Sequence, residues 1–496
     1  MNLSLDYSRR FTPVRVYSLN RTFLLSLCIV FFTLLIFFTI APNTIHWFII
    51  PVAICGLLII PDMLKWFKGS YDTFDPKGLF GLLGFYLFFL SPLLWVATNA
   101  QMLYVPNPPD WRPWLGGMAA INVFGLIAYH VGHNHGFRIR KRGNEFWRLS
   151  WLKFWIVLPL FLVITLLTWI YFLSSMGGIG EIIITQSQFL KKEAFMNKGW
   201  IIAIGRSFPM LIFLTIVLQG LRRKKKRSPL AIAVLLLAFF ILQFLFDGLR
   251  GSRSSVICSL FIAAGIIHYF WRPLSQKIVL IGFIPVLIFA FFYGFYKSAG
   301  IEVLDLCWRK VTVQDMMAAT GRTVQSFLLG DLSRVDIQAF LLYRLFEYQN
   351  EYDLQWGATY VGDVAILIPR VLWPNRPPTK VKAGTELMYG KGSYVPGGFQ
   401  STRVYGLAGE AMLNFHIFGV PLAFFIWGFL MGRYRRWLMS LKPKDLRFVL
   451  APLFSLLIFT APMGDLDGII AAFFFHGFVL TIVLILVARR KVLRRI

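Results

Sequence analysis

The chain has 496 residues, of which 57% are hydrophobic and 17% aromatic, while only 15% carry charge. Soluble domains run near a quarter charged, so this composition excludes an ordinary water-soluble enzyme and points to hydrocarbon as the solvent. The formal net charge of +28 would suit a nucleic-acid binder, but it equally suits Lys and Arg flanking membrane spans on their cytoplasmic side. A span needs ~20 residues to cross a ~30 Å bilayer core. Apolar runs of that kind are Thr22–Ala41, Ile45–Ile60, Gly78–Thr98, Trp114–Tyr129, Phe154–Leu173, Trp200–Gln219, Leu230–Phe246, Val256–Trp271 and Ile278–Phe295. After a long polar interval come Ala411–Met431, Phe448–Met463 and Ile469–Ala488.

Cations fall at every second connection. They are Arg9, Arg10, Arg15 and Arg21, then Lys65 and Lys68, Arg138 to Arg142, Arg222 to Arg227, Arg272 and Lys277, Arg433 to Arg436, and the tail Arg489 to Arg495. Connections in between are short or poor in Lys and Arg. That alternation predicts both termini cytoplasmic and accounts for the charge without a nucleic-acid partner. About twenty polar residues precede the first span, which lacks a small-residue cleavage site and so reads as an anchor. The expected fold is all-α and polytopic: nine transmembrane helices in 1–295, a large extracytoplasmic loop in 296–409, and three helices in 410–496, about twelve in all.

A loop that long is functional or separately folded. Within it, SRVDIQAFLLYRLFEY predicts an amphipathic helix with Ser333 as N-cap. VGDVAILIPRVLW is too short to span and suits an interfacial or re-entrant helix ending before Pro374.

Candidate chemistry is cationic. Arg250 and Arg253 in DGLRGSRSS lie three apart at the outer membrane edge, and Arg370, Arg376, Lys380, Lys382 and Arg403 come from the loop. Glycines and prolines around them let guanidinium groups and backbone N–H groups close on a phosphate; solvated loop cations are the plain alternative for Lys382 and Lys391. Arg206, near the outer end of the sixth span, is an intramembrane cation and hence a functional candidate. Carboxylates are scarce. Glu410 opens the tenth span, Asp363 begins the VAILIPR segment and Asp247 ends the seventh span; such a group is a general base for a sugar hydroxyl or a helix N-terminal acid. Asp465 and Asp467, in a short outside turn, orient a sugar or, as the plainer reading, keep that turn wet, and His416 reads as a packing residue. His130, His133 and His135 lack an acid or Cys partner, and Cys28, Cys55, Cys258 and Cys307 have no ligand spacing, so no metal site is expected. Gly384 to Gly392 fails as a phosphate-binding P-loop on spacing.

Taken together, YVGDVAILIPRVLWPNRPP, a Gly-rich basic segment, STRVYGLAGEAMLNFHIFG opening a helix, and the earlier LRGSRSSVI resemble the bacterial O-antigen and exopolysaccharide repeat-unit polymerases. The likeness covers about Asp247 to Gly419. It implies a glycosyltransferase of the bacterial inner membrane whose active site faces the periplasm, with undecaprenyl-pyrophosphate-linked oligosaccharide as donor and acceptor and neither cofactor nor metal. By position, it implies Arg370, Arg376 and Glu410 as catalytic groups, with Arg250 and Arg253 beside them; Arg206, Asp363, Lys380, Lys382 and Arg403 are assigned to substrate binding. A flippase and a chain-length regulator of the same pathway would be partners. A lipid-linked-glycan flippase is the rival class, although carriers have related halves and the polar loop has no counterpart in the first half. A ligase acting on another acceptor shares the donor chemistry.

Overall fold

The computed structural model describes residues 19–103, 105–139, 145–187, 198–222, 228–299, 312–368, 372–395, 400–401 and 403–492. Among these, eleven helices are long and apolar enough to cross a membrane, and a further apolar helix, Ala451–Met463, is shorter. Together they cover the twelve apolar runs. In chain order the helices used below are α1 (Leu19–Ile40), α2 (Ile49–Phe67), α3 (Pro76–Ala97), α4 (Trp111–Arg138), α5 (Trp151–Ser175), α6 (Gly199–Gly220), α7 (Pro229–Gly248), α8 (Arg253–Phe270) and α9 (Gln276–Ala299). Then come α10 (Val335–Glu347), α11 (Ala358–Ala365), α12 (Lys380–Tyr389), α13 (Gly406–Ser440), α14 (Ala451–Met463) and α15 (Leu466–Val487).

Local chemistry sets several starts. Asp75 and Asp110 accept hydrogen bonds from the N–H groups of Lys77 and Arg112 at the heads of α3 and α4, and Ser228 accepts from Ala231 at α7, which satisfies orphan helix donors. Not every helix is regular. The backbone of α3 and α7 passes through π-turns at Phe85–Leu90 and Phe244–Gly248, α6 is interrupted at Arg206–Ser207, and α13 breaks at His416–Phe418.

Contacts divide the chain into two units that interleave along the sequence. The first holds Met1–Lys141, Gln325–Met439 and Leu457–Ile470, and the second holds Arg142–Val324, Ser440–Leu456 and Ala471–Ile496. In the first unit α10 is buried on every face from Val335 to Leu345, so the expected amphipathic helix is a core helix. Its Arg344 guanidinium bonds Leu387 O at 3.0 Å and Glu351 at 2.5 Å, which lets a polar residue sit inside. Ser333 serves the start of α10: its hydroxyl accepts from Val335 N at 3.1 Å and meets Ser91 Oγ at 2.5 Å. Phe80, Tyr129 and Trp427 form an aromatic nest with ring centroids 4.6–5.1 Å apart.

In this unit α4 packs on α13 through glycines. Gly132 and Gly136 of α4 face the backbone of Phe425 and Phe429, while Gly428 and Gly432 of α13 face that of Tyr129 and His133. A Cβ at any of the four would overlap a carbonyl oxygen of the opposite helix. Two reciprocal G-x-x-x-G steps thus bring the backbones into contact, the packing that substitutes for a hydrophobic driving force inside a bilayer. Next to it, Arg435 bonds both oxygens of Asp75 at 2.8 and 2.9 Å and reaches His133 Nε2 at 3.1 Å. His130 meets Leu58 O at 3.1 Å, so both histidines are engaged in packing contacts.

The second unit contains α5 to α9 and the only strands among the described residues. Glu145–Leu149 pairs antiparallel with Ala488–Val492, in the register Glu145 to Val492 and Leu149 to Ala488. This short ribbon is a local addition to a fold that is otherwise helical, as expected. Charge hides it in the sequence, because RRKV reads as a basic flank, and the pairing partner lies over three hundred residues away.

Gly132→Leu or Gly432→Leu forces a side chain into a backbone contact. Each is expected to lower stability by ~3 kcal/mol or more, beyond the usual ~1–3 kcal/mol of overpacking, seen as a lowered Tm in detergent. Gly282→Leu, which meets nothing within 4 Å, should leave Tm unchanged.

Candidate functional site

Within the first unit, residues from α11, α12, the head of α13 and the turn before α15 converge. Asp465 is its centre, and it is buried, not wet. Its carboxylate accepts from Tyr405 N at 2.9 Å and Gly406 N at 2.6 Å, and it pairs with the Lys380 ammonium. Lys380 also reaches Asp467 Oδ1 at 3.0 Å. The turn before α15 and the first turn of α15 therefore hold two acids on one lysine, a role that the short, polar look of this stretch did not disclose.

Gly406 starts α13 with φ +73°, and a Cβ there would stand 2.6 Å from Pro462 O. Only glycine accepts that left-handed backbone without strain. Gln338 of α10 donates to Tyr405 O at 3.0 Å and fixes the same corner. One turn into α13, Glu410 is 2% exposed and its Oε2 accepts from Leu466 N at 2.8 Å. Asn414, one turn further, donates to Thr359 Oγ1 at 2.7 Å and accepts from Gly357 N at 2.9 Å, which seats α11 against α13.

Asp363 lies on the inward face of α11 and is 0% exposed. Neither of its oxygens, nor Oε1 of Glu410, finds a hydrogen-bond partner among the described residues. The two carboxyls are within interaction range of one another and of Lys380. Burial raises the Asp363 carboxyl above its ordinary value; the neighbouring Asp467 pushes the same way and Lys380 opposes. Two carboxyls in one dry site cannot both ionise cheaply. That arrangement brings two carboxyl groups, a proton acceptor and a proton donor, into one buried site.

The outward face of α11 is apolar and exposed: Val361 and Val364 point away from the acids, followed by Ile366, Leu367 and Leu372. The expected interfacial segment thus has a polar inner side and a lipid-like outer side. Gly362 lets it press on the Pro377–Pro378 backbone.

The expected cations fare differently. Lys380 is buried and neutralised, as described. Arg403 bonds Asp336 at 3.2 Å and is one-third exposed; burial raises the Asp336 carboxyl and Arg403 opposes it. Arg376 donates to Ala365 O and Ile368 O at 3.1 and 3.0 Å, closing the carboxyl end of α11. Lys382 is exposed, and Lys391 pairs with Asp353 on the surface. Arg370 lies outside the described residues. His416 sits at φ +55° in the α13 break with its ring on Phe346. The buried cluster is therefore acid-rich, with four carboxyl groups around one lysine, where the sequence led to expect cations around a phosphate.

In the second unit Asp247 is fully buried in the π-turn of α7. It accepts from Gln243 Nε2 at 2.5 Å and Ser255 Oγ at 2.8 Å, and pairs with Arg206 at 3.0 Å and Arg250 at 3.4 Å. Arg206 lies 4.5 Å from the Phe475 ring centre and also donates to Ser255. The two arginines of LRGSRSS do not share a helix face: Gly251, at φ +91°, breaks the backbone between them, and Arg253 turns to Ala290 O at 3.1 Å. The π-turn, which places Asp247 among these groups, has no signature in hydropathy.

Among the described residues no group of three or more His, Cys, Asp or Glu is arranged to hold a metal ion. Comparison with protein-family models, with curated proteins and with solved structures gives no match.

Removing the Lys380 charge strands Asp465 in the interior. Lys380→Met is expected to destabilise by ~3–5 kcal/mol, the usual cost of breaking a buried pair from one side, whereas Lys382→Met should change Tm by under a degree. Because the folded state holds the Asp363 proton more tightly than the unfolded chain, folded protein binds more protons above about pH 4, and stability falls as pH rises. Asp363→Asn is expected to flatten that fall in a Tm series from pH 4 to 8.

Proposed function

We propose that this chain is a membrane glycosyltransferase that elongates lipid-pyrophosphate-linked glycans, of the O-antigen and exopolysaccharide polymerase kind that its loop motifs resemble. The observation that carries the reading is the Asp363–Glu410 pair, buried and short of hydrogen bonds, beneath a helix whose outer face is apolar. A substrate with a lipid tail and a sugar head suits that two-sided wall: the tail runs along the exposed face of α11 and a sugar hydroxyl reaches the acids within.

In this scheme the acceptor hydroxyl oxygen attacks the anomeric carbon of the donor. The bond from that carbon to pyrophosphate breaks, the hydroxyl proton passes to Glu410 or Asp363, and the lipid pyrophosphate leaves with both electrons of the broken bond. Donor activation resides in the pyrophosphate ester, so no nucleotide sugar is consumed. Arg403, Lys382 and Arg376, cations of the first unit with some exposure, are the groups we assign to the departing charge, and preorganised cations of this kind contribute several kcal/mol. Lys380 instead sets the charge of the acid pair. Twelve spans, cytoplasmic termini and a periplasmic site in a bacterial inner membrane complete the proposal, supported by the alternation of cationic connections.

Purified protein given lipid-linked repeat units without nucleotide is expected to yield a ladder of longer glycans. Glu410→Gln and Asp363→Asn should each reduce the rate by roughly 10²–10⁴-fold, the range for losing a general acid or base, while Tm stays within a few degrees of wild type. Unchanged substrate with the wild-type protein, or an intact ladder in both variants, would overturn the assignment.

A further inference from the structure

Far along the sequence from those acids, the second unit carries an open cleft of about 480 Å³ bounded by α5, α6, α7 and Trp271. Its floor is built, not incidental. The Trp271 indole lies flat on Gly220, where a Cβ would stand 2.8 Å from the ring, and its Nε1–H donates to Val217 O at 2.8 Å. Trp155, Ile216 and Leu235 make apolar walls, with Trp155 and Ile216 more than 40% exposed.

Polar groups gather at one end only. Arg222 lies 3.9 Å over the Trp151 ring, one helical turn before Trp155, so cation and aromatic wall form a single edge. No carboxylate among the described residues pairs with Arg222, and the Gln219 amide beside it has no protein partner there. In the sequence Arg222 opens the run Arg222-Arg-Lys-Lys-Lys-Arg227. The cleft is thus long and apolar at one end, with an unpaired guanidinium and a free amide at the other.

We propose that this cleft is a binding site for an anionic phospholipid, with one acyl chain along Trp155, Ile216 and Leu235 and the headgroup phosphate on Arg222 and Gln219. Basic pockets between membrane helices take anionic headgroups for this electrostatic reason, with ~1 kcal/mol for each cation near the surface. A fork of guanidinium N–H groups matches phosphate oxygens. The cleft discriminates by charge at the mouth and by width between the indoles. The inference stands apart from glycosyl transfer, since it uses none of the acids of the first unit.

The test is native mass spectrometry of the full-length protein, purified in neutral detergent and offered phosphatidylglycerol and phosphatidylcholine at equal concentration. Wild type is expected to retain one phosphatidylglycerol in preference to phosphatidylcholine. Arg222→Gln should weaken retention roughly fivefold, from one lost surface cation, and Ala231→Trp, which fills the cleft while keeping the charge, should abolish it. Arg222→Gln is a surface change that leaves folding intact, so it keeps the test decisive if Ala231→Trp misfolds. Equal retention of the two lipids, wild-type retention in Arg222→Gln, or displacement of the lipid by millimolar inorganic phosphate alone would overturn the proposal.

Discussion

The carboxylate of Asp465 ties three segments of the first unit together. It receives two backbone N–H groups from the corner that starts α13 and an ammonium from the start of α12, while its own turn leads into α15. A lone buried carboxylate is prohibitively unfavourable in an apolar surrounding, and each of these donors removes part of that penalty. The positive φ of Gly406, the Gln338 bond to Tyr405 O and the Glu410 bond to Leu466 N all follow from keeping the corner in reach of that group. Glu410 and Asp363 then take their places as a second layer, short of partners because the first layer has used the nearby donors.

The same economy of polar groups explains where the helices become irregular. In hydrocarbon a freed backbone group needs a partner inside the protein, so departures from the α-helix are admitted where side chains or turns supply one. The π-turn of α7 lies where Asp247 meets two arginines, a serine and a glutamine, and the α6 interruption carries one of those arginines. π-turns recur at functional positions for this reason. The close α4–α13 contact is the converse case: along its glycine steps, four glycines let backbones meet and dispersion forces hold them.

Much of the membrane architecture was legible, since each apolar run is a local property and hydropathy reads it directly. Glu410, Asp363 and Lys380 also stood out, because ionisable residues beside apolar helices are rare enough to notice. Asp465 did not, for a short turn with two acids looks the same whether it faces water or a lysine eighty-five residues away. Arg250 and Arg253 lie three apart, a spacing that on a continuous helix shares one face, and Gly251 cancels that. The G-x-x-x-G steps were present in the letters, but many such steps pack against nothing, and only the facing pair gives them meaning.

What the sequence determined by itself is the solvent of the chain, the placing of its helices and the short list of ionisable residues worth following, all of which depend on neighbours in the chain. The tertiary structure decided which charges cancel. Lys380 became the counter-ion of two acids and Arg376 a helix stop, so the cluster turned from cationic to acidic. The reason is range: a charge in a low-dielectric interior is governed by whatever lies within a few ångströms, and those neighbours are brought together by folding from residues far apart in the chain.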